Sequence, residues 1–479
     1  MQSKSKNYQF VLHNPLSGKL HICEADTRII FHLSANTISH QTIGGNSMLA
    51  PWHATTTTPQ FPALSSDTRT SVLIIGGGIT GILTAYFLHR NGIPYILAEK
   101  DQICAHTTGN TTAKLTCQHS LIFHKLFKSC GEHTAKAYYQ ANSDALRIYQ
   151  KLCRDIDCDF EEKTNYVYSL TSLKKLEKEL DTAHRLGIDM FFCDSVPLPI
   201  KTVGAVYMKN QAQFNPLKFL FTIAQSLNIR QGTFIKKVEG NTAYTDRHKI
   251  IADHIVFATH FPFIDRHGLY FMKMHQSRSY VSAFENAADV LGMYIDESDK
   301  GLSFRNYGNL LFIGGSNHRT GKKAEAYEPL RAFAKDHYPT AREKYHWAAQ
   351  DCMTLDSMPY IGQYSKKTAQ WYTATGFNKW GMTGAMVGAT MLRDAICGVE
   401  NAYAEVFSPD RSILRPQLIV NSLDTAVNFI SPIPKRCSHL SCALRYNKLE
   451  HSWDCPCHGS RFDEKGRIIE NPANKDIKL

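Results

Sequence analysis

The sequence predicts three parts: an α/β unit built on a parallel sheet, an α+β region with its own sheet inserted into that unit, and a small all-β unit at the C-terminus. Three observations lead to this prediction. A β-branched strand, a glycine-rich turn and a helix follow one another between residues 71 and 98. Short strand-like runs return between residues 267 and 345, and cysteines and histidines cluster between residues 437 and 458. Strands that alternate with helices indicate a parallel sheet, whereas consecutive short strands indicate an antiparallel one.

The composition is that of an ordinary globular protein. The chain has 479 residues, enough for two or three domains, with 43% hydrophobic and 20% charged residues. Its net charge is +11, but Lys and Arg alternate with Asp and Glu, so we expect no nucleic-acid partner. The N-terminus shows no signal-peptide pattern, and we expect a cytoplasmic protein whose 13 cysteines are mostly free thiols.

The longest apolar stretch, residues 71–88, contains four glycines and is better explained as strand, turn and helix than as a transmembrane segment. Its turn has the form G-x-G-x-x-G at Gly76, Gly78 and Gly81, and a second strand ends at Glu99. The first glycine permits a tight turn, the second lets a pyrophosphate approach the backbone, and the third lets helix and strand pack closely. Glu99 is placed to accept a hydrogen bond from a ribose hydroxyl, so the order of elements predicts a dinucleotide site.

The C-terminal pattern reads Cys437-x-His439, then Cys455-x-x-His458. Two thiolates and two imidazoles in this arrangement suit a [2Fe–2S] cluster in which one iron takes the cysteines and the other takes the histidines. Zinc is the alternative, because it also accepts Cys and His at short spacings.

The pattern closely resembles the Rieske domain, including the Ser-Trp-Asp that precedes the second loop and the Ser-Arg-Phe-Asp that follows it. The resemblance implies that the two cysteines and two histidines named above bind the cluster. It also implies a disulfide between Cys442 and Cys457, which match the extra cysteine pair of the family.

Three later segments, residues 255–259, 356–362 and 375–383, resemble the D-amino-acid oxidase or glycine oxidase class of FAD-dependent oxidoreductases, and the similarity extends over residues 70–399. It implies FAD rather than NAD, in a Rossmann-like α/β domain with an inserted substrate domain. The residues expected around FAD are Gly76, Gly78, Thr80, Gly81, Glu99, Thr111, Thr112, Val238, Thr259, Gly376, Trp380, Gly381, Met382 and Thr383.

These resemblances predict the domain organisation. Nearly the whole chain after Met48 resembles bacterial FAD-dependent oxidoreductases that carry a C-terminal Rieske domain. Because the connection is short, we expect the Rieske unit to rest directly on the FAD unit. The predicted segments are an extension (1–47), a lead-in linker (48–69), the FAD domain (70–403) with its substrate subdomain (161–206 and 267–345), a linker (404–433) and the Rieske domain (434–479).

One departure from the class concerns the substrate. Amine and amino-acid oxidases of this class often place an Arg, which pairs with the substrate carboxylate, in a segment that begins with Trp and ends with Asp. Trp347 and Asp356 align with that segment, but Asp351 stands at the Arg position. An acid cannot anchor a carboxylate, so Asp351 either receives a cationic substrate or caps its loop. Arg278 and Tyr280 are weak candidates for compensating residues, and His318 and Arg319 are further ones.

The sequence therefore predicts an FAD-dependent dehydrogenase. It would oxidise an amine or amino-acid-like small molecule by hydride transfer to FAD and relay single electrons through the cluster to an external acceptor. Two alternatives stay open: a reductase in which an external donor reverses the flow, and a redox sensor without catalysis. A Rieske oxygenase is disfavoured, because no mononuclear-iron domain with two histidines and one carboxylate follows the cluster loops.

Overall fold

The computed structural model describes residues 42–43, 46–47, 49–323 and 325–478. Most of the predicted N-terminal extension therefore lies outside the described residues. The strands are β1 (Thr42–Ile43), β2 (Asn46–Ser47), β3 (Thr68–Ile75), β4 (Tyr95–Ala98), β5 (Lys114–Leu115), β6 (Glu161–Ser169), β7 (Phe191–Cys193), β8 (Gly204–Gln213), β9 (Ile229–Arg230), β10 (Lys237–Glu239), β11 (Thr242–Tyr244), β12 (Lys249–Phe257), β13 (Met274–Glu285), β14 (Met293–Asp296), β15 (Ser303–Tyr307), β16 (Leu310–Arg319), β17 (Arg342–Thr354), β18 (Tyr360–Gln363), β19 (Trp371–Thr375), β20 (Arg445–Asn447), β21 (Ser452–Asp454), β22 (Arg461–Asp463) and β23 (Ile468–Glu470).

The helices alternate with these strands in the first part of the chain and become sparse among the later ones. They are α1 (Pro51–Thr55), α2 (Ile79–Arg90), α3 (Ile122–Cys130), α4 (Glu132–Leu152), α5 (Leu173–Arg185), α6 (Pro216–Ala224), α7 (Tyr270–Lys273), α8 (Glu328–His337), α9 (Gly381–Ile396), α10 (Ala404–Phe407) and α11 (Pro416–Ile430).

An eight-stranded sheet forms the predicted α/β unit. Its strand order is β10-β11-β12-β3-β4-β9, with β19 beside β12 and β18 beside β19. The pairs β12–β3, β3–β4, β4–β9 and β12–β19 are parallel. The last four residues of β3 and all of β4 are buried, as expected for strands covered on both faces. The turn between β3 and α2 lies at the carboxyl end of a central strand, where open α/β sheets bind ligands.

A second, mostly antiparallel sheet of eleven strands forms the predicted insertion. Its order is β1-β2-β17-β13-β16-β15-β14-β6-β8-β5, with β7 paired to β8. The strands extend to Gln213 and Thr354, beyond the predicted limits of the substrate subdomain. The register of β13 and β17 places Ser277 opposite Asp351 and Arg278 opposite Gln350. This pairing places the candidates Arg278 and Asp351 on neighbouring positions of one strand pair.

The C-terminal unit, residues 431–478, contains a four-stranded antiparallel sheet in the order β20-β21-β22-β23. The region predicted as a linker contains α10 and α11. The unit packs on the large unit (residues 68–407) through a buried ion pair, in which the Glu450 carboxylate accepts from Arg278 Nε at 2.6 Å. Within the unit, the same carboxylate accepts from Arg461 Nη2 at 2.8 Å. The two units are therefore in direct contact, as expected.

Among the described residues, no helix combines the length and apolar character that crossing a membrane requires.

Candidate cofactor sites and active-site cavity

The glycine-rich turn has the geometry that its spacing predicted. Gly76 has φ +111°, and a Cβ there would lie 2.5 Å from the carbonyl oxygen of Ala258. A Cβ at Gly81 would lie 1.9 Å from the carbonyl oxygen of Gly76, so α2 reaches the strand only because this side chain is absent. Gly78, the N-cap of α2, borders a large cavity. The turn thus leaves backbone N–H groups at a helix N-terminus accessible to a ligand.

Glu99 stabilises this turn from the end of the neighbouring strand. Its side chain is buried; Oε2 accepts from the Gly77 N–H at 2.6 Å, and Oε1 accepts from the Asp101 N–H at 2.8 Å. Glu99 also borders the cavity. Each carboxylate oxygen can accept a second hydrogen bond, so the predicted contact with a ribose hydroxyl is compatible with this arrangement.

The cavity has a volume of about 1080 Å³ and lies between the two large sheets. Most of the residues expected around FAD line it. These are Gly76, Gly78, Thr80, Glu99, Thr111, Thr112, Thr259, Trp380, Gly381, Met382 and Thr383. The cavity is therefore one site assembled from distant parts of the chain.

Three expected residues do not line the cavity. Gly81 packs behind the turn, and Gly376, with φ +74°, forms part of the loop before α9. Val238 lies in the core beside β11 and β12, whereas residues 233–235 border the cavity instead. The contact of Val238 with the adenine end of FAD therefore stays a prediction.

The N-terminus of α9 faces the cavity. Tyr149 OH donates to the carbonyl of Met382 at 2.9 Å, and the ring of His119 stacks on Trp380 with centroids 4.6 Å apart. His119 also lies 3.1 Å from Thr383 Oγ1 through Nε2, and its burial lowers its pKa to about 3. A neutral, hydrogen-bonded imidazole thus positions the helix end. Backbone N–H groups at such an end favour an anionic or carbonyl oxygen.

Charged side chains line the cavity near the loop before α9. Burial raises the pKa of Asp351, against the opposing effect of Lys379. Burial lowers the pKa of Lys379, although Asp351 acts in the other direction. Burial likewise lowers the pKa of His260, whose Nε2 is buried without a hydrogen-bond partner. Lys379 lies inside the flavin-like segment but was not a candidate from the sequence, because a Lys in that loop has no counterpart in the family pattern.

The C-terminal unit forms part of the cavity wall. Ile468, Ile469 and Glu470 border the cavity together with Asn471. Burial raises the pKa of Glu470, but Arg461 and Arg278 outweigh this effect and hold it below its usual range. Asn471 Nδ2 donates to the backbone carbonyls of Thr259 and Phe261, the latter at 2.7 Å. One residue of the C-terminal unit thus binds the strand end that contributes Thr259 to the cavity.

The two weak candidates from β13 have different surroundings. Arg278 is buried, does not border the cavity and pairs with Glu450, so it is unavailable to a substrate carboxylate. Tyr280 borders the cavity, and its OH lies 3.4 Å from His318 Nε2 and 3.3 Å from Glu450 Oε1. Burial raises its pKa, so the hydroxyl stays protonated at neutral pH.

The cysteines of the C-terminal unit are all buried and unoxidised. The sulfur atoms of Cys442, Cys455 and Cys457 lie within 4.8 Å of one another, a spacing compatible with a metal site. The predicted disulfide between Cys442 and Cys457 is not supported: both are free thiols that hydrogen-bond within this group. Hydrogen bonds from neighbouring thiols, first from Cys437, hold the pKa of Cys455 well below its usual range. A thiolate is the form that binds metal.

The two predicted histidine ligands face each other, with ring centroids 5.0 Å apart at 83°. His439 Nε2 lies 2.8 Å from Asp265 Oδ1, a carboxylate of the large unit, whereas its Nδ1 is buried without a partner. Both ring nitrogens of His458 are also buried without a partner. Buried imidazole nitrogens are ordinarily hydrogen-bonded, so these atoms fit a metal centre. A carboxylate on the far nitrogen is the usual companion of a metal-bound histidine.

Side chains of the large unit donate to the backbone of the second cysteine loop. Gln276 Nε2 donates to His458 O and Gln350 Nε2 to Gly459 O, each at 2.8 Å. Arg319 donates to the carbonyls of Pro456 and Cys457, both at 2.9 Å. Of these donors only Arg319 was a candidate from sequence, and for a substrate role. No local pattern distinguishes a glutamine that holds a distant loop from any other glutamine in a strand.

Comparison with known proteins agrees with both sites. Residues 71–395 match the model of the FAD dependent oxidoreductase family (DAO), and residues 424–479 match the Rieske [2Fe-2S] domain. The chain belongs to the FAD dependent oxidoreductase family. A putative Rieske 2Fe-2S iron-sulfur protein of Bacillus subtilis (strain 168), YhfW, is 35% identical over 490 residues, covering 89% of this chain and 96% of that protein. The two-part organisation is thus shared over nearly the whole length.

Solved structures share the fold of the large unit. The glycine oxidase of Geobacillus kaustophilus superposes with a TM-score of 0.62 at 17% identity, over 72% of this chain and 99% of that one. L-Proline dehydrogenase from P. horikoshii gives 0.61 at 16% identity, over 72% and 98%. The protein is therefore an oxidoreductase with a D-amino-acid oxidase-type fold and a small all-β Rieske domain, and its cofactors are FAD and a [2Fe–2S] cluster.

Proposed function

We propose that this oxidoreductase oxidises an amine or amino-acid-like small molecule at the cavity and passes the electrons through its Rieske domain to an external acceptor. The observation that carries the proposal is the shared wall: residues 468–471 of the Rieske domain border the same cavity as the FAD-binding turn. FAD supplies two-electron chemistry and the cluster one-electron chemistry. A Rieske domain packed on the cavity keeps the two cofactor sites at a constant separation. The cytoplasmic location stays a prediction from the sequence.

The proposed substrate class rests on two ionisable side chains of the cavity lining, Asp351 and Lys379. Asp351 and Lys379 both border the cavity and influence each other electrostatically. A carboxylate can pair with a substrate ammonium, and an ammonium can pair with a substrate carboxylate. Lys379 thus provides the cation that the family usually provides as an arginine, from a different loop. This pair supports a zwitterionic or cationic amine as the substrate.

We propose Cys437, His439, Cys455 and His458 as the cluster ligands. Support comes from the depressed pKa of Cys455 and from the unpartnered Nδ1 atoms of both histidines. With Asp265 accepting a hydrogen bond from His439 Nε2–H, the tautomer that leaves a lone pair on Nδ1 is favoured. Asp265 belongs to the large unit, so the large unit orients a ligand of the Rieske domain.

The protein's own part in catalysis is positioning and shielding. Backbone N–H groups of Gly78 and of the first turn of α9 face the cavity and favour bound anionic groups. Residues 468–471 of the Rieske domain cover one side of the cavity and limit access of water to it. Neutral His260 lies on that side, with its Nε2 free to accept or donate a proton.

The relay is tested with the purified full-length holoprotein. Under anaerobic conditions, a panel of amines and amino acids is mixed with the protein in a stopped-flow instrument, and flavin and cluster absorbance are followed together. We expect flavin bleaching followed by cluster reduction, with a Rieske-type EPR signal in frozen samples. Flavin bleaching without any cluster reduction would contradict the relay. Cluster reduction by an external donor that precedes flavin reduction would favour the reductase.

The substrate class is tested separately with Lys379→Met, and Asp351→Asn serves as the companion variant. For a substrate with both a carboxylate and an amine, each variant should raise KM by about tenfold or more, because each removes one charge pair. For an amine that lacks a carboxylate, only Asp351→Asn should do so. Unchanged KM values in both variants would exclude the pair from substrate binding.

A further inference from the structure

Helix α11 leads from the large unit into the Rieske domain. It exposes its apolar face, whereas a surface helix ordinarily packs that face on the protein core. Its apolar residues recur at Ile419, Leu423 and Val427, one turn apart, with Val420 and Ile430 beside them. This stripe spans about 100° of the helix circumference, the width expected of a face that packs on a protein core. In this structure it points outward.

The polar face of α11 is the face that contacts the protein. Asn421 and Asn428, seven residues apart, are its buried residues. Asn421 Oδ1 accepts from Arg319 Nη1 at 3.1 Å, and Asp424 pairs with the same guanidinium at 2.9 Å. The carbonyl of Asn428 accepts from the Ala443 N–H at 3.0 Å, within the first cluster loop. These contacts determine the rotation of the helix, so the apolar stripe cannot turn inward without breaking them.

The stripe, with Leu414 just before the helix and Phe429 beside the stripe, accounts for much of the exposed apolar surface. Sixteen large apolar side chains are exposed in the part of the chain that the structure describes, and seven of them lie between residues 414 and 430, with 50–82% of each accessible. The seven are Leu414, Ile419, Val420, Leu423, Val427, Phe429 and Ile430. A contiguous apolar patch of this kind marks an interaction surface.

We propose that the α11 stripe is covered by the same stripe of a second copy of this chain. Burying the stripe together with Leu414 and Phe429, seven side chains in all, removes on the order of 300–550 Å² of apolar surface per subunit. This area is close to the apolar share of a standard-size interface, which buries about 800 Å² per partner. A lipid surface fits less well. Helices that lie on membranes carry Lys and Arg along the polar face, whereas the only charged residue of α11 is Asp424.

The stripe is also self-complementary. Leu423 is the middle residue of α11, seven positions from Pro416 and seven from Ile430. An antiparallel pairing about a two-fold axis through Leu423 places each Leu423 against its counterpart and each Ile419 against Val427 of the other copy. Two-fold interfaces bring identical patches together in this way, and the absence of charge from the stripe means that no like charges meet.

The test is the mass of the full-length holoprotein in solution, measured by sedimentation equilibrium at micromolar concentration, for wild type and two variants. Leu423→Asp places a charge on the proposed axis and should weaken the dimer by about 100-fold or more. Leu291→Asp is the matched control: Leu291 is also a leucine, 71% exposed, and lies outside the stripe. We expect wild type and Leu291→Asp to be dimers and Leu423→Asp to be a monomer.

Two further measurements check that the variant is folded and whether the stripe binds lipid instead. The flavin absorbance and circular dichroism of Leu423→Asp should equal those of wild type, since the side chain is exposed; if they do not, Val427→Asp replaces it. Co-sedimentation with vesicles containing anionic lipid is run in parallel. A wild-type monomer, a dimer that survives both stripe variants, or vesicle binding that the stripe variants abolish would each overturn the proposal.

Discussion

The interior of the large unit and its contact with the Rieske domain are stabilised in different ways. The sheet around β3 and β4 is packed with aliphatic side chains such as Leu73, Ile74 and Leu97, none of them accessible. At the contact with the Rieske domain, the buried groups are charges: Arg278 and Arg461 around Glu450. Apolar packing stabilises without demanding one orientation, whereas hydrogen-bonded ion pairs do demand one.

The difference explains how a small domain is held at one orientation. A 50-residue unit has little core of its own, and its apolar cluster consists mainly of the cysteines with Leu444, Phe462 and Ala473. The ion pairs and the amide donors Gln276 and Gln350 add directional contacts to the cluster loop. The flavin site is therefore held by close steric packing within the large unit. The cluster site is held by polar contacts that the large unit makes with the Rieske domain.

The largest effect on flavin content and stability is expected at Gly81, where the packing is purely steric. Gly81→Ala places a methyl group within 1.9 Å of the Gly76 carbonyl, which neither backbone can accommodate. We expect loss of flavin, read as the ratio of visible to protein absorbance, with a large drop in the thermal midpoint. Gly381→Ala is the control for folding alone, because a Cβ there meets no protein atom within 4 Å but would enter the expected FAD site. Its thermal midpoint should stay near that of wild type, and an equal drop in both variants would contradict the packing argument.

Next comes the buried charge network. Glu450→Gln removes the nearer of the two carboxylates that Arg278 and Arg461 share, the other being that of Glu470, and should cost about 3–5 kcal/mol of unfolding free energy. Urea unfolding monitored by cluster absorbance measures the cost. Glu464→Gln, at an exposed carboxylate paired with His451, should change little. Equal effects at the two positions would show that the interface does not depend on its buried ions.

The same carboxylate predicts a pH dependence. Burial raises the pKa of Glu450, but Arg278 and Arg461 outweigh burial and hold it at about 2, below the ordinary 4.5. A depressed folded-state pKa stabilises the protein above pH 4.5, and that stability is lost as the pH falls toward 2. The wild-type advantage over Glu450→Gln should therefore shrink by up to about 3 kcal/mol on acidification. An advantage that is constant between pH 6 and 2.5 would rule out this carboxylate as its source.

A smaller effect is expected from the amide donors. Gln276→Leu removes the donor to His458 O and leaves that carbonyl unpaired, at about 1–3 kcal/mol. Because the carbonyl belongs to a predicted cluster ligand, the EPR spectrum of the cluster should shift while flavin content stays normal. If the EPR spectrum is unchanged and only the stability falls, Gln276 stabilises the loop without influencing the cluster.

The smallest effect is expected from an exposed ion pair of the large unit. Arg69 and Asp253 pair at 3.0 Å with both side chains more than half accessible. Arg69→Ala should cost only about 0.2–1 kcal/mol, because water screens the pair. Thermal unfolding in low and high salt measures it. A cost comparable to that of Glu450→Gln would remove the distinction between buried and exposed charges.

How far the sequence predicts the site depends on how local each feature is. The roles of Gly76 and Gly81 follow from a six-residue spacing, because tight turns and close helix packing are local geometry. The Cys and His loops were likewise evident, since metal ligands recur at short spacings. The Cys442–Cys457 disulfide is not supported, because a disulfide depends on how closely the two loops bring their sulfurs together, and both residues are free thiols in the structure.

By itself, the sequence determined the glycine turn of the α/β unit and the Cys and His loops of the C-terminal unit, because each depends on residues close together in the chain. FAD and the small all-β Rieske domain were implied by resemblance to known families. Only the tertiary structure decided that Arg278 pairs with Glu450, that Asp265 meets His439 and that Lys379 faces Asp351. These partners are between 28 and 174 residues apart. Such contacts form only when whole sheets and domains pack, and no period or spacing along the chain records them.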